Sequence, residues 1–204
     1  MTTAQKRGLE SILPLYAVPI DAPLDAAATF ARRAPLGVEI GFGTGDALVQ
    51  WAMENPDWNL LGVEVYPPGI GAAVNRLAEL TISNVRIAPA RAEAFIATAL
   101  ADGEAREFRI FFPDPWPKKR HAKRRLIQVE FVALLARKLE SGGIVRLATD
   151  WDAYAEWSTV IFGGNAAFRS VEAADAAFAR NVTRFERRGL RLGHRIHEQV
   201  YVRV

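Results

Sequence analysis

The chain alternates short apolar runs with longer stretches of helical spacing. LGVEI at 36–40, WNLLGVEV at 58–65, NVRIA at 84–88, EFRIFF at 107–112 and IVRLAT at 144–149 each read as a buried strand. The intervening stretches 46–54, 68–80, 93–101, 123–139 and 151–161 read as helices. Two helices precede the first strand, one over 4–13 that Pro14 should end and one over 25–33 before Pro35. Ser141-Gly142-Gly143 should cap the 123–139 helix. Two later extended stretches, near 167–172 and 198–204, complete the set. Strands and helices alternating at this spacing predict an α/β fold with a doubly wound, Rossmann-like sheet flanked by helices. No repeat, low-complexity tract or Gly/Ser-rich linker divides the chain, so residues 1–204 are expected to form a single domain.

Composition excludes some chemistry. The 204 residues contain no cysteine. Disulfides, thiolate metal sites and a Cys nucleophile attacking a pyrimidine ring are therefore ruled out. His194 and His197 stand three apart, but no acidic pair completes a zinc motif, and no metal is expected. No apolar run is long enough to span a bilayer. The opening MTTAQKRGLE lacks the apolar core of a signal peptide, and a cytoplasmic protein without a membrane partner is expected. Net charge is only +3, yet Lys118, Lys119, Arg120, Lys123, Arg124 and Arg125 place six cations within eight residues. A near-neutral body with one concentrated positive face suits a polyanion.

The first strand runs into Glu39-Ile40-Gly41-Phe42-Gly43-Thr44-Gly45-Asp46. Glycines at 41, 43 and 45 allow a tight turn and a close ligand approach. A dinucleotide site would want a third glycine where Asp46 stands, and Glu39 would repel a pyrophosphate. A cationic nucleoside such as S-adenosylmethionine suits the acid better. Glu64, nineteen residues beyond Gly45, ends the second strand, where an acid can accept both ribose hydroxyls.

The fourth strand ends in Phe111-Phe112-Pro113-Asp114-Pro115-Trp116-Pro117-Lys118. Ligands in such folds bind outside the carboxyl ends of strands, which aims Asp114 at the cleft between two stiffening prolines. Trp116 offers a flat face for a base. The basic run that follows reads as continuing from the loop onto a helix, as a phosphate-tracking surface would.

At these residues the chain resembles the tRNA (guanine-N7-)-methyltransferase family, over nearly its whole length. VEIGFGTG resembles the family's cofactor loop, and FFPDPWPKKRHAKRR its signature loop. LESGGIVRLATD at 139–150 resembles the segment ending in a substrate-binding Thr-Asp pair. Thr183-Arg184-Phe185-Glu186, Arg188-Gly189 and Gly193-His194 resemble the C-terminal motif. The resemblance implies a class I fold, S-adenosylmethionine as methyl donor and methylation of a guanine in the tRNA variable loop. It implies that Glu39, Gly41, Gly43, Glu64, Arg91 and Asp114 bind cofactor and that Asp114 is the catalytic position. Lys118, Asp150, Thr183, Arg184, Phe185 and Glu186 would contact the tRNA. The chain departs from the family in having Arg91 where Asp or Asn is common, and Arg184 where Lys is usual. The family also usually carries a basic segment ahead of the stretch resembling TTAQKRGLE.

Guanine N7 holds an in-plane lone pair and needs no base before it attacks a methyl group. Asp114 would stabilise the positive charge that develops, or orient the base. Other readings remain: another RNA or protein acceptor, a non-enzymatic RNA-binding protein on the same scaffold, and, least supported, a dehydrogenase. A monomer and a homodimer are both compatible with the sequence.

Overall fold

The computed structural model describes residues 1–172 and 184–204. Among the described residues, seven strands form one sheet: β1 Leu36–Ile40, β2 Asn59–Val63, β3 Val85–Ala88, β4 Ala105–Phe111, β5 Leu139–Thr149, β6 Phe168–Val171 and β7 His197–Arg203. The helices are α1 Thr3–Arg7, α2 Leu13–Tyr16, α3 Ala26–Phe30, α4 Asp46–Glu54, α5 Pro67–Glu79, α6 Ala92–Ala99, α7 Val129–Lys138, α8 Asp152–Gly163 and α9 Arg184–Arg191. The spatial order is β3-β2-β1-β4-β5-β7-β6. β1 through β5 pair in parallel, and β7 runs antiparallel between β5 and β6. This is the doubly wound, Rossmann-like sheet that the alternation of strands and helices predicts. Winding departs in opposite directions from β1, which lies between β2 and β4. Such a switch point opens a crevice at the carboxyl ends of the strands.

Both faces of the sheet are covered, which is why its strands are short apolar runs. On one face Val38, Ile40, Phe108, Ile110, Val145 and Leu147 pack in one core with Phe95, Phe131 and Leu135. On the other, Leu60, Val85 and Ile87 meet Leu48, Trp51, Val74 and Leu77. No helix among the described residues is long and apolar enough to cross a membrane.

Three expectations are corrected. The 123–139 helix is two elements: a 3-10 turn over Lys119–Arg124, then α7 from Val129. Cations four apart repel on a helix. In addition, the Gln128 side-chain amide donates to the carbonyls of Ala122 and Arg125, ending the turn. Ser141-Gly142-Gly143 belongs to β5 and is not a helix cap. Ala105 pairs with Leu139 but Glu107 with Ile144, so the extra β5 residues bulge out. Pro14 does not end the first helix, because it opens a fresh turn at Leu13–Tyr16, where its missing N–H is no loss.

Candidate active site

The carboxyl ends of β1, β2 and β4 frame a cleft of about 710 Å³. Gly41, Gly43, Glu64, Arg91 and Asp114 all line it, together with Tyr66, Trp116 and Arg124. The sequence therefore named residues on both walls. Tyr66, two residues past Glu64, and Arg124, inside the basic run, were not singled out for it.

Glu39 is not among the residues lining this cleft, although Ile40 and Gly41 after it are; it is only 2% exposed, and its Oε2 has no hydrogen-bond partner. Its register partner on β4 is Arg109. Arg109 is held elsewhere: its guanidinium sits 3.7 Å from the centre of the Trp51 ring and its Nε donates to Glu107 at 2.6 Å. Burial pushes the Glu39 carboxyl up to about 8; Arg109 pulls the other way, and Asp46 and Glu64 push further up. The next residues turn sharply. Gly41 has a φ of +72°, and a side chain there would point into open space.

Glu64 closes the loop from the neighbouring strand. Its Oε2 accepts the Gly43 N–H at 2.8 Å, and its Oε1 accepts those of Val65 and Tyr66 at 2.6 and 2.9 Å. Gly69 of α5 supports the loop from behind: a Cβ there would lie 2.3 Å from the Gly43 carbonyl oxygen. Arg91 is the N-cap of α6 and stands exposed at the rim.

The opposite wall is the loop after β4. Phe112 and Trp116 adopt φ of +53° and +43°, an uncommon region for bulky residues. Two contacts hold the bend. Phe112 N donates to the Ala148 carbonyl at 2.7 Å, and the Pro115 carbonyl accepts from Arg125 Nε at 3.1 Å. Asp114 is exposed between these anchors. Trp116 lines the cleft with two neighbours of its own. The Arg124 guanidinium lies 5.0 Å from its ring centre, and His121 packs edge-on at 5.8 Å.

A strand-end carboxylate without a donor, an open glycine turn and a second acid on the next strand are what a cationic nucleoside site needs. Comparison with known proteins identifies the family. The family model "Putative methyltransferase" matches residues 33–199. The tRNA (guanine-N(7)-)-methyltransferase of Pseudomonas putida (strain W619) is 40% identical over 210 residues, covering 100% of this chain and 87% of the relative. The enzyme of the same name from Saccharophagus degradans is 40% identical over 209 residues, covering 100% and 91%. The chain belongs to the tRNA (guanine-N(7)-)-methyltransferase family. Among solved structures, the aminoglycoside resistance methyltransferase NpmB1 superposes with a TM-score of 0.58 at 14% identity, over 89% of this chain and 94% of that one, a likeness of fold.

In this family member Lys118, Asp150 and Glu186 are not among the residues that line the cleft. Lys118 is exposed at the N-cap of the basic 3-10 turn. Asp150 ends β5, where His194 Nδ1 lies 3.0 Å from its Oδ2. Gly189 of α9 backs onto the same carboxylate, 3.0 Å from where its Cβ would be. Arg184 and Phe185 open α9. Glu186, in the same helix, is buried and lines a second cavity of about 460 Å³ with Arg195, His197 and Glu198. Thr183 lies outside the described residues. His197 Nε2 lies 2.6 Å from Asp152 Oδ1. Both histidines thus tie the chain leading into β7 to the β5–α8 corner.

Proposed function

We propose that this chain transfers a methyl group from S-adenosylmethionine to N7 of guanine in the variable loop of tRNA. The observation that carries the reading is Glu39: a buried carboxylate whose Oε2 has no hydrogen-bond partner, directly before Ile40 and Gly41 of a cleft that Asp114 also lines. The residues present fit the donor. Its ammonium would satisfy the orphaned Glu39 oxygen, and Glu64 lies where ribose hydroxyls would be accepted. When bound, S-adenosylmethionine supplies an electrophilic methyl group on a sulfonium. Arg91 cannot accept a hydrogen bond from the adenine amino group, so that edge falls to neighbouring backbone carbonyls.

Guanine N7 would take the methyl group through its lone pair, with no proton to remove first, while the sulfonium sulfur would leave with the C–S electron pair as a neutral thioether. Positive charge then grows on the imidazole half of the purine. Asp114, rigid between two prolines, stabilises that charge or orients the base through its N1 and amino protons. Positioning supplies most of the remaining acceleration. Lys118, Asp150 and the 183–186 segment hold the target nucleotide, while the exposed cations of the 3-10 turn hold flanking phosphates. A tRNA-modifying enzyme of this kind works in the cytoplasm with its substrate.

Incubating unmodified tRNA with methyl-labelled S-adenosylmethionine and identifying the product nucleoside tests the proposal. Label in 7-methylguanosine is expected. Label in another nucleoside overturns the acceptor, and no transfer to RNA overturns the reading.

A further inference from the structure

Within the basic run, one cation behaves unlike the others. Lys118, Arg120, Lys123 and Arg124 are exposed, whereas Arg125 is 9% exposed. Burying an arginine is costly unless its charge and donors find partners. Its Nε donates to the Pro115 carbonyl at 3.1 Å. Its guanidinium lies 5.7 Å from the Tyr154 ring centre and 5.1 Å from that of Trp157, both on α8. Those rings are fixed in turn by the backbone that follows Arg125. Trp157 Nε1 donates to the Ile127 carbonyl at 2.6 Å, and Ile127 N donates to the Tyr154 hydroxyl at 3.4 Å.

The consequence is mechanical. Pro115 follows Asp114 directly, and α8 begins two residues after Asp150. One guanidinium therefore joins the loop carrying one carboxylate to the helix beside the other. It does so where Phe112 and Trp116 hold the loop in an unfavourable backbone region that needs external restraint.

We propose that Arg125 is a positioning residue. It sets the Pro113–Pro117 loop, and so Asp114, against the β5–α8 corner, and it contacts no phosphate. The inference rests on the role proposed for Asp114.

Arg125→Met and Arg125→Lys test it, with the parent measured alongside. In Arg125→Met, kcat for methyl transfer should fall by up to about 100-fold, the scale of a small misplacement remote from the chemistry. S-adenosylmethionine affinity and the salt slope of tRNA binding should stay as in the parent. Arg125→Lys keeps the charge but not the planar donor fork, so its kcat should lie between the two. A readout independent of transfer is fluorine NMR of 5-fluorotryptophan-labelled protein. The Trp116 signal should shift in Arg125→Met while the Trp51 signal stays. If Arg125→Met does not fold, Arg125→Lys carries the same measurements. A reduced salt slope with unchanged kcat makes Arg125 a phosphate contact and overturns the inference, as does an unmoved Trp116 signal. A parent that transfers no methyl group to tRNA overturns the proposed function instead, and the Trp116 signal still decides whether Arg125 sets the loop.

Discussion

The backbone N–H of Gly43 donates to Glu64 Oε2 at 2.8 Å, so the acid of one strand holds the glycine loop of the next. Glu64 also lines the cleft, which gives it two tasks at one carboxylate. Glu64→Ala should therefore weaken S-adenosylmethionine binding by about 10-fold to 100-fold, as losing a charged hydrogen bond of roughly 1.5–3 kcal/mol implies. Affinity for tRNA should change little. Calorimetric titration of each ligand measures this, and an unchanged cofactor Kd would reduce Glu64 to a strand-end residue.

Gly69 gives a purely steric test of the same loop. A Cβ at Gly69 would lie 2.3 Å from the Gly43 carbonyl oxygen, a backbone atom that must move. Gly69→Ala should lower cofactor affinity although residue 69 carries no ligand chemistry. Gly163→Ala, whose Cβ would meet nothing, is the control and should be neutral or stabilising by up to about 1 kcal/mol. Equal cofactor affinity in the two variants would show that the loop tolerates displacement.

Glu39 makes both stability and cofactor binding depend on pH. Its folded carboxyl titrates at about 8 against an ordinary 4.5, so the folded chain holds this proton more tightly than the unfolded chain. The resulting stabilisation is complete below the unfolded value and is lost as pH rises towards 8. Glu39→Gln should match the parent in chemical denaturation at about pH 5 and exceed it near pH 8, by on the order of a few kcal/mol. Cofactor binding should run the other way. A donor ammonium pairs with the ionised carboxylate, so parental affinity should rise with pH, by at most about tenfold per unit between roughly pH 5 and pH 7.5. Glu39→Gln should show a flat profile over that range. Parallel profiles in parent and variant would mean that Glu39 does not meet the cation.

Asp114 occupies the exposed turn between two prolines on the cleft wall. Asp114→Ala should reduce kcat by about 100-fold or more, the scale of losing a fixed electrostatic group at a reacting centre. Its cofactor Kd should shift only modestly. Turnover near that of the parent would remove Asp114 from the mechanism.

Lys123 and Arg124 are exposed on the 3-10 turn and are placed to meet phosphates. Neutralising both should lower the slope of log affinity against log salt by roughly 0.7–0.9 for each phosphate no longer neutralised. Arg124 also packs on Trp116 and lines the cleft, so Arg124→Ala should lower kcat as well, whereas Lys123→Ala should not. A double variant with the parental salt slope would make this turn a solvated face and move the RNA grip elsewhere.

Much of this protein is decided by local sequence. LGVEI and NLLGV read as strands because parallel strands buried on both faces must be apolar throughout. The glycines of 41–45 and the prolines around Asp114 announce turns, because their backbone preferences act within one or two residues. Strand-end position then aims Glu64 and Asp114 at the cleft, since ligands in such sheets lie at the carboxyl ends. What tertiary structure decided is which of several chemically equal residues does what. Arg124 and Arg125 are the same residue type one position apart. One is exposed over Trp116; the other is buried against Tyr154 and Trp157, because α8 packs under the loop. Burial raises the Glu39 carboxyl, and the arginine beside it, engaged by Trp51 and Glu107, offsets only part of that. Asp150 meets His194 across 44 residues of chain. Charge partners are chosen by distance and desolvation in space, and these are set only when the helices close on the sheet.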